Sequence, residues 1–495
     1  MEKNVFLLTM STLNFSPGKE NKELKGYYYS YEGREPMMCY SQLEPISRML
    51  IETGKRPDRI IVLCTKDTIK NWDFFVEQTP HCCSAYDFYI ERIKRVLPNC
   101  GDDVFCPIDI DPMNIYSGIR TAAEKIKKES VDCSSIDEFR LWVDTQGGFR
   151  DSSLVMSAIT NLLNIRGISI AGVYSIEFTK EKAVNIETPA LIKEQSQNYK
   201  IFDFVAGMRE FILYGQGAQL ARYYDAIDAS EETRQVITSI KNLAESIQMC
   251  DPAGFETRLK ELSHSILEYQ KSEQAANELF SIFIDEVVED YGVLLKDECR
   301  RLDAVAWCLK KHFYQQALTF IEARIPDEIM EKKILDYNCV LKDQIFKLKS
   351  LAKLGHKTEA GYVTLWYCKK KSKKCANLRR WIDMGRNGKT ELENLEQLAG
   401  KAIYNLKENE NYCFQIIENN NGEEIKIGIS MSTKCYSAKK LQQFLYLFKM
   451  LKNERNNINH FSTKEGRASL KEIDHAIRLF LELGRELYRE VENQP

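Results

Sequence analysis

The sequence predicts an α/β N-terminal domain with a parallel sheet, followed by an all-α C-terminal region with a small β-hairpin insertion. Within residues 1–185, short continuous apolar runs alternate with segments of helical spacing. After Pro189 glycine and proline become sparse, and charged residues interleave with apolar ones at three- and four-residue intervals. The Asn-Gly pair Asn421 and Gly422 marks a two-residue turn in that helical part. The chain therefore joins two different architectures.

The strands of the first domain are predicted from apolar runs rich in β-branched and aromatic residues. These runs are Val5–Leu8, Arg59–Cys64, Leu141–Val143 and Ile168–Tyr174. Uninterrupted apolar runs suit strands that are covered on both faces, as in a parallel sheet. The intervening segments 45–54 and 115–128 have helical spacing, so we expect a doubly wound α/β domain.

The helices of the second part are predicted from their amphipathic spacing. The first four are expected at 202–224, 231–249, 254–269 and 302–323, in a stretch that reads as helical to about Leu354.

Further along, strands are expected at 412–418 and 424–430, on either side of the Asn-Gly turn. Ser437 is the predicted N-cap of an apolar helix, and a last amphipathic helix is expected at 469–490.

Composition narrows the classes of protein to consider. A chain of 495 residues is too long for one core, so two or three domains are expected. The net charge of −3 indicates that any nucleic acid would meet a local basic surface. The 15 cysteines are scattered without a Cys-x-x-Cys pair, so no metal site is predicted. Since no apolar run approaches membrane-spanning length, we expect a cytoplasmic protein without membrane contact.

The stretch Arg455–His460, which reads Arg-Asn-Asn-Ile-Asn-His, carries the strongest chemical signal. Histidine can take and give a proton near neutral pH. Arginine keeps its charge and suits phosphate oxygens. Asn456 and His460 are four residues apart and would share a helix face, with Arg455 about 100° away. Together the three side chains could act on a phosphodiester.

Metal-free RNA cleavage requires a deprotonated 2′-hydroxyl, a stabilised phosphorane and a protonated leaving oxygen. His460 could serve as acid or base, and Arg455 could stabilise the charge. Because the pattern occurs once in the chain, a complete pair would require a two-fold homodimer. The alternative is a surface histidine with a structural role, since this spacing also arises by chance.

Arg-Asn-x-x-x-His after an apolar helix resembles the active-site motif of HEPN ribonucleases. The resemblance implies a homodimer in which Asn456 orients one of its two neighbours, Arg455 and His460. It also implies products with 2′,3′-cyclic phosphates.

A ligand site is predicted at the carboxyl ends of the apolar runs, where open α/β sheets bind ligands. Small hydroxyls, glycines and helix N-terminal amides suit anionic phosphates. The candidate residues are Thr9, Met10, Ser11 and Thr12 after the first run, Thr65 and Lys66 after the second, and Asp144, Thr145, Gln146, Gly147, Gly148, Phe149 and Arg150 after the third. Alternatively, these loops are ordinary strand-to-helix caps, which favour the same residue types.

The third loop resembles the strand-end motif Asp-x-Thr-x-Gly-x-Arg of CARF domains. Asp144, Thr145, Gly147 or Gly148, and Arg150 match it in kind, with a slight departure in spacing. The whole chain is therefore similar to CARF–HEPN ribonucleases of type III CRISPR systems. The segments Trp307–Leu309 and Gln315–Glu322 also resemble the helical part of this group.

The resemblance implies a Rossmann-like sensor that binds a cyclic oligoadenylate as activator, with no other cofactor. It also implies a single-stranded RNA substrate. The expected domains are a ligand-sensing domain at 1–185, a helical linker at 186–354 and a ribonuclease domain at 355–495. One rival hypothesis keeps the sensor but makes the helical half a non-catalytic binding or assembly module. A nucleotide-dependent enzyme is disfavoured because no G-x-G-x-x-G follows the first strand.

Overall fold

The structure is a computed structural model. It describes residues 2–15, 22–41, 43–131, 138–168, 170–177, 185–225, 227, 229–272, 279–296, 299–332, 334–339, 378–385, 391–402, 412–417, 424–431, 437–459 and 468–492. The chain divides into two compact units, Met1–Asp203 and Phe204–Pro495. The domain boundaries predicted at 185 and 354 stay predictions.

The first unit is built on an eight-stranded sheet with helices between its strands. The strands of this unit, which include a separate hairpin, are β1 (Lys3–Thr9), β2 (Tyr27–Ser30), β3 (Met37–Cys39), β4 (Arg59–Cys64), β5 (Trp72–Val76), β6 (Thr79–Cys83), β7 (Phe105–Asp109), β8 (Phe139–Asp144), β9 (Ile170–Glu177) and β10 (Ala190–Glu194). Its helices are α1 (Glu44–Glu52), α2 (Ala85–Val96), α3 (Ile115–Val131), α4 (Ser152–Ile165) and α5 (Ser196–Tyr199). The sheet order is β3-β2-β10-β9-β8-β1-β4-β7, and β5 and β6 form a separate hairpin.

The centre of this sheet is the predicted parallel sheet. Strands β9, β8, β1, β4 and β7 run parallel to one another. Val5 and Leu7 of β1 pack on the side of α3 and α4, whereas Phe6 and Leu8 pack on the side of α1 and α2. Burial on both faces explains the uninterrupted apolar run, since each such side chain stabilises the fold by about 1.5–3 kcal/mol.

The strand order defines a switch point between β1 and β8. From β1 the chain adds β4 and β7 on one side, and it then returns to add β8 and β9 on the other. In such doubly wound sheets the ligand crevice lies at the carboxyl ends of the strands at the switch point. Beyond β9, the short strands β10, β2 and β3 add antiparallel pairings that the sequence did not predict.

The second unit is largely helical, as predicted. Its helices, the first of which begins in the preceding unit, are α6 (Ile201–Tyr214), α7 (Ala218–Asp225), α8 (Glu231–Gln248), α9 (Pro252–Lys271), α10 (Phe280–Tyr291), α11 (Arg301–Lys310), α12 (Tyr314–Ala323), α13 (Ile325–Glu331), α14 (Leu378–Gly385), α15 (Glu391–Ala402), α16 (Ala438–Asn459) and α17 (Leu470–Glu492). No helix among the described residues is long and apolar enough to cross a membrane.

Two predicted helices are each divided in two. The helix predicted at 202–224 is interrupted at Gly215, whose φ of 60° lies in the left-handed region. The helix predicted at 302–323 is interrupted at His312, which also has a φ of 60°. There the amide of Phe313 donates to the carbonyl of Cys308 and that of His312 to Leu309, which closes α11 with a Schellman motif.

A three-stranded antiparallel sheet is inserted between the helices. Its strands are β11 (Leu335–Cys339), β12 (Tyr412–Ile417) and β13 (Glu424–Met431), with β13 in the centre. The predicted hairpin is confirmed by the β12–β13 pair, although Asn421 and Gly422 lie outside the described residues. The stretch predicted to be almost wholly helical to about Leu354 contains the strand β11, where Leu-Asp-Tyr-Asn-Cys alternates apolar and polar residues with the period of a strand.

Helices α16 and α17 pack antiparallel. Lys440, near the start of α16, pairs with Glu486 and Glu490 near the end of α17, at 3.0 and 2.6 Å. The rings of Phe444 and Phe480 stack with their centroids 4.4 Å apart. The Ser437 hydroxyl accepts the Lys440 amide at 3.2 Å, which confirms the predicted N-cap.

Candidate functional site

The candidate ligand site lies at the carboxyl edge of the central parallel strands. A cavity of about 390 Å³ opens there. It is bordered by the loops that follow β1, β4 and β7 and by the turn that precedes α4. Of the residues predicted from sequence, those that line this cavity are Met10, Thr12, Thr65, Lys66, Gly148 and Phe149. The fold thus brings residues of all three predicted loops to one place.

The glycine turn after β8 packs directly against the end of β1. Gly148 has a φ of 117°, and its amide donates to the Ser11 hydroxyl at 2.8 Å. A Cβ added to Gly147 would lie 2.1 Å from the Thr9 carbonyl oxygen. Only glycine permits this approach, so the two loops at the switch point are locked to each other.

Asp144 is buried at the end of β8, with 4% of its surface exposed. Its Oδ1 accepts the Gln146 amide at 2.8 Å, while Oδ2 has no hydrogen-bond partner among the described residues. Burial raises the pKa of Asp144 to about 7, and the hydrogen bond from Gln146 opposes the shift. Through its hydrogen bond with the Gln146 amide, Asp144 stabilises the turn that follows β8.

Thr9 is a second buried polar residue at the switch point, with none of its surface exposed. Its Oγ1, like the Asp144 Oδ2, lacks a partner within the described ranges. The two residues end neighbouring strands, where Leu8 pairs with Asp144. Because buried polar atoms are normally hydrogen-bonded, two orphaned atoms on adjacent strand ends are typical of a ligand or water site.

Two other predicted residues bond the protein itself. The Thr145 hydroxyl donates to the Tyr174 carbonyl at 3.0 Å, and the Gln146 Oε1 accepts the Ile176 amide at 2.9 Å. Both contacts hold the third loop against β9. Arg150 is exposed two residues before Ser152, where α4 begins.

The cavity also contains carboxylates that the sequence did not assign to the ligand site. Asp67, Asp109 and Asp111 line it together with Lys66. Asp109 ends β7, an edge strand that contains Pro107 and therefore lacks the continuous apolar run that marked β1 and β4. Carboxylates accept hydrogen bonds from hydroxyl or amino groups and repel phosphates, so this side of the cavity suits sugar or base donors.

The candidate catalytic motif lies at the end of α16. Arg455 and Asn456 are in the last turns of this 22-residue helix, which extends to Asn459. Consecutive helical residues project about 100° apart, so the two side chains approach a common site from different sides. His460 follows Asn459 directly and lies outside the described residues.

Arg455 is held by a carboxylate from another helix. Its Nη1 lies 3.1 Å from the Oε2 of Glu322 in α12. The Nζ of Lys452, one turn earlier on α16, lies 3.2 Å from the Oε1 of the same carboxylate. The Arg455 Nε is buried and has no partner among the described residues. Sequence spacing gave no signal for this contact, because α12 and α16 are distant in the chain.

No protein-family profile matches the sequence, and neither does any curated protein. Among solved structures, the chain is similar to "Enterococcus italicus Csm6 bound to cyclic hexa-2′-fluoro-hexa-dAMP", at a TM-score of 0.37 and 9% identity. The match covers 99% of this chain and 94% of that chain. With so low a TM-score, the likeness says nothing about activity, and the function has to be inferred from the residues of this chain.

Proposed function

We propose that this protein is a CARF–HEPN endoribonuclease of a type III CRISPR system that acts in the cytoplasm. A cyclic oligoadenylate would activate it, and it would cleave single-stranded RNA without a metal ion. The observation that carries the proposal is the end of α16, where Arg455 and Asn456 lie five and four residues before His460. The Arg455 side chain is 29% exposed, so part of its guanidinium can meet a phosphate.

Each residue of the motif has a chemical task in this proposal. His460 exchanges protons with the 2′-hydroxyl or the leaving 5′-oxygen. Arg455 stabilises the negative charge that develops on the phosphorane, and Asn456 orients one of these two groups. The products would carry 2′,3′-cyclic phosphates. Since each chain supplies one motif, the active species would be a homodimer with two motifs at one cleft.

The first unit would bind the activator at the switch point. The start of α4 suits a phosphate, because Asp151 makes no side-chain cap hydrogen bond and leaves amide groups for an anion. Lys66 and Arg150 would add positive charge. Thr9 and Asp144 offer buried polar atoms without partners, while Asp109 would accept a sugar hydroxyl or adenine amino group. A symmetric ring would sit on the two-fold axis of the dimer.

The test is cleavage of a fluorescent RNA in EDTA, with cyclic tri-, tetra- and hexa-adenylate titrated in turn. We expect one ring size to stimulate cleavage and His460→Ala to abolish it. His264→Ala is the matched control, since His264 is exposed and lies outside the motif. Activator-dependent cleavage that survives His460→Ala would refute the catalytic role. RNA that is bound but left intact by the wild type would support the rival binding module.

A further inference from the structure

We propose that Glu322 is a positioning residue that holds Arg455 for catalysis, an inference that rests on the proposed ribonuclease function. Its carboxylate lies between two cations of α16. One oxygen is 3.2 Å from the Lys452 Nζ and the other is 3.1 Å from the Arg455 Nη1. One side chain of α12 therefore connects to the catalytic turn of α16 at two points.

The three charged groups are largely withdrawn from water. The exposed fractions of the side chains are 15% for Glu322, 9% for Lys452 and 29% for Arg455. Lys452 and Arg455 are three residues apart on one helix, so their like charges repel each other. Partial burial strengthens that repulsion and also the attraction of each cation to the carboxylate between them. Glu322 thus allows two cations to remain side by side.

The contact with Glu322 also limits which nitrogens of the Arg455 guanidinium can bind a phosphate. The Glu322 Oε2 forms an ion pair with Nη1 at 3.1 Å, although neither this oxygen nor the buried Nε makes a hydrogen bond among the described residues. The exposed part of the Arg455 side chain is left for a phosphate. Because guanidinium is a rigid planar fork, fixing one of its nitrogens limits the directions in which the others can point.

Loss of the carboxylate should therefore impair the chemical step more than substrate binding. Without Glu322, repulsion from Lys452 would turn Arg455 away from the phosphorane. Substrate affinity depends on many phosphate contacts and would change little. A competing arrangement, in which Glu322 blocks Arg455 from the RNA, makes the opposite prediction, since removing the carboxylate would then raise activity.

The test is Glu322→Gln, which keeps the shape of the side chain and removes its charge. We expect kcat to fall on the order of tenfold or more, with KM changed by less than about twofold. The matched control is Glu256→Gln, because Glu256 also bridges two arginines, at 3.1 Å from Arg301 Nε and 3.0 Å from Arg324 Nε. The control should keep the kcat of the wild type. An unchanged or increased kcat in Glu322→Gln would overturn the proposal.

A double-mutant cycle separates this inference from the proposed function. Glu322→Gln, Arg455→Gln and the double variant are compared by thermal midpoint, which needs no nuclease activity. Non-additive shifts would support the pair, and additive shifts would overturn it. If the wild type cleaves no RNA with any activator, the proposed function fails on its own. In an Arg455→Ala background, Glu322→Gln should cause no further loss of residual cleavage; a further loss would contradict a role exerted through Arg455.

Discussion

Replacing Asp144 with asparagine should stabilise the first unit in a pH-dependent way. The ordinary pKa of an aspartate is 3.8, whereas burial raises that of Asp144 to about 7. Between these values the folded state binds more protons than the unfolded state, so stability falls as the pH rises through this window. At 1.36 kcal/mol per pKa unit, keeping Asp144 ionised above pH 7 costs the fold about 4 kcal/mol.

Asparagine cannot ionise, and its Oδ1 can still accept the Gln146 amide. Asp144→Asn should therefore raise stability by about 4 kcal/mol near pH 8 and by only about 1 kcal/mol near pH 4.5. For a unit of this size the shift near pH 8 corresponds to an increase in thermal midpoint on the order of 10 °C.

The assay is scanning calorimetry of the full chain at both pH values. Asp67→Asn is the matched control, because Asp67 is exposed in the neighbouring loop and should give no such difference. A thermal midpoint that differs equally from the wild type at both pH values would refute the assignment of a neutral, buried Asp144.

Two further substitutions test the packing around the two candidate sites. Gly147→Ala should lower the thermal midpoint and raise the activator concentration for half-maximal cleavage, because its Cβ would lie 2.1 Å from the Thr9 carbonyl; overpacking of this kind costs about 1–3 kcal/mol. Gly33→Asn is the control, since Gly33 has open space around it and asparagine tolerates its positive φ, and equal effects of the two would contradict this reasoning. Phe444→Ala should destabilise the second unit by about 3–5 kcal/mol, because the ring is fully buried against Phe480. Denaturant unfolding followed by circular dichroism measures it, and a loss below about 1 kcal/mol would show that this stack is not part of a rigid core.

The parts of the fold that the sequence predicts well are those with an unambiguous burial pattern. Strands β1 and β4 are buried on both faces, and their runs can be read directly. The edge strand β7 gives a weaker signal, because Pro107 interrupts its apolar run. The helix breaks at Gly215 and His312 depend on local backbone geometry, and amphipathic spacing continues across both.

The candidate ligand site was predictable in position but less so in detail. Parallel strands bring their carboxyl ends together, so loops that are distant in sequence were expected to meet. Whether a side chain faces the cavity depends on register and loop geometry, and the burial of Thr9 and Asp144 could not be read from residue type. The Glu322–Arg455 contact was equally hidden, because it joins helices whose packing is set by the whole core.

Glu454, the residue before Arg455, gives the motif a further property. It is 2% exposed, and its carboxylate accepts the amide of Ala468 at 3.2 Å. The chain that leaves α16 after Asn459 is thus tied back, at residue 468, to the helical turn it came from. Under the proposed function, Glu454 would hold the residues that precede α17 against the turn that carries the catalytic arginine, so α16 and α17 would meet the cleft as one packed unit.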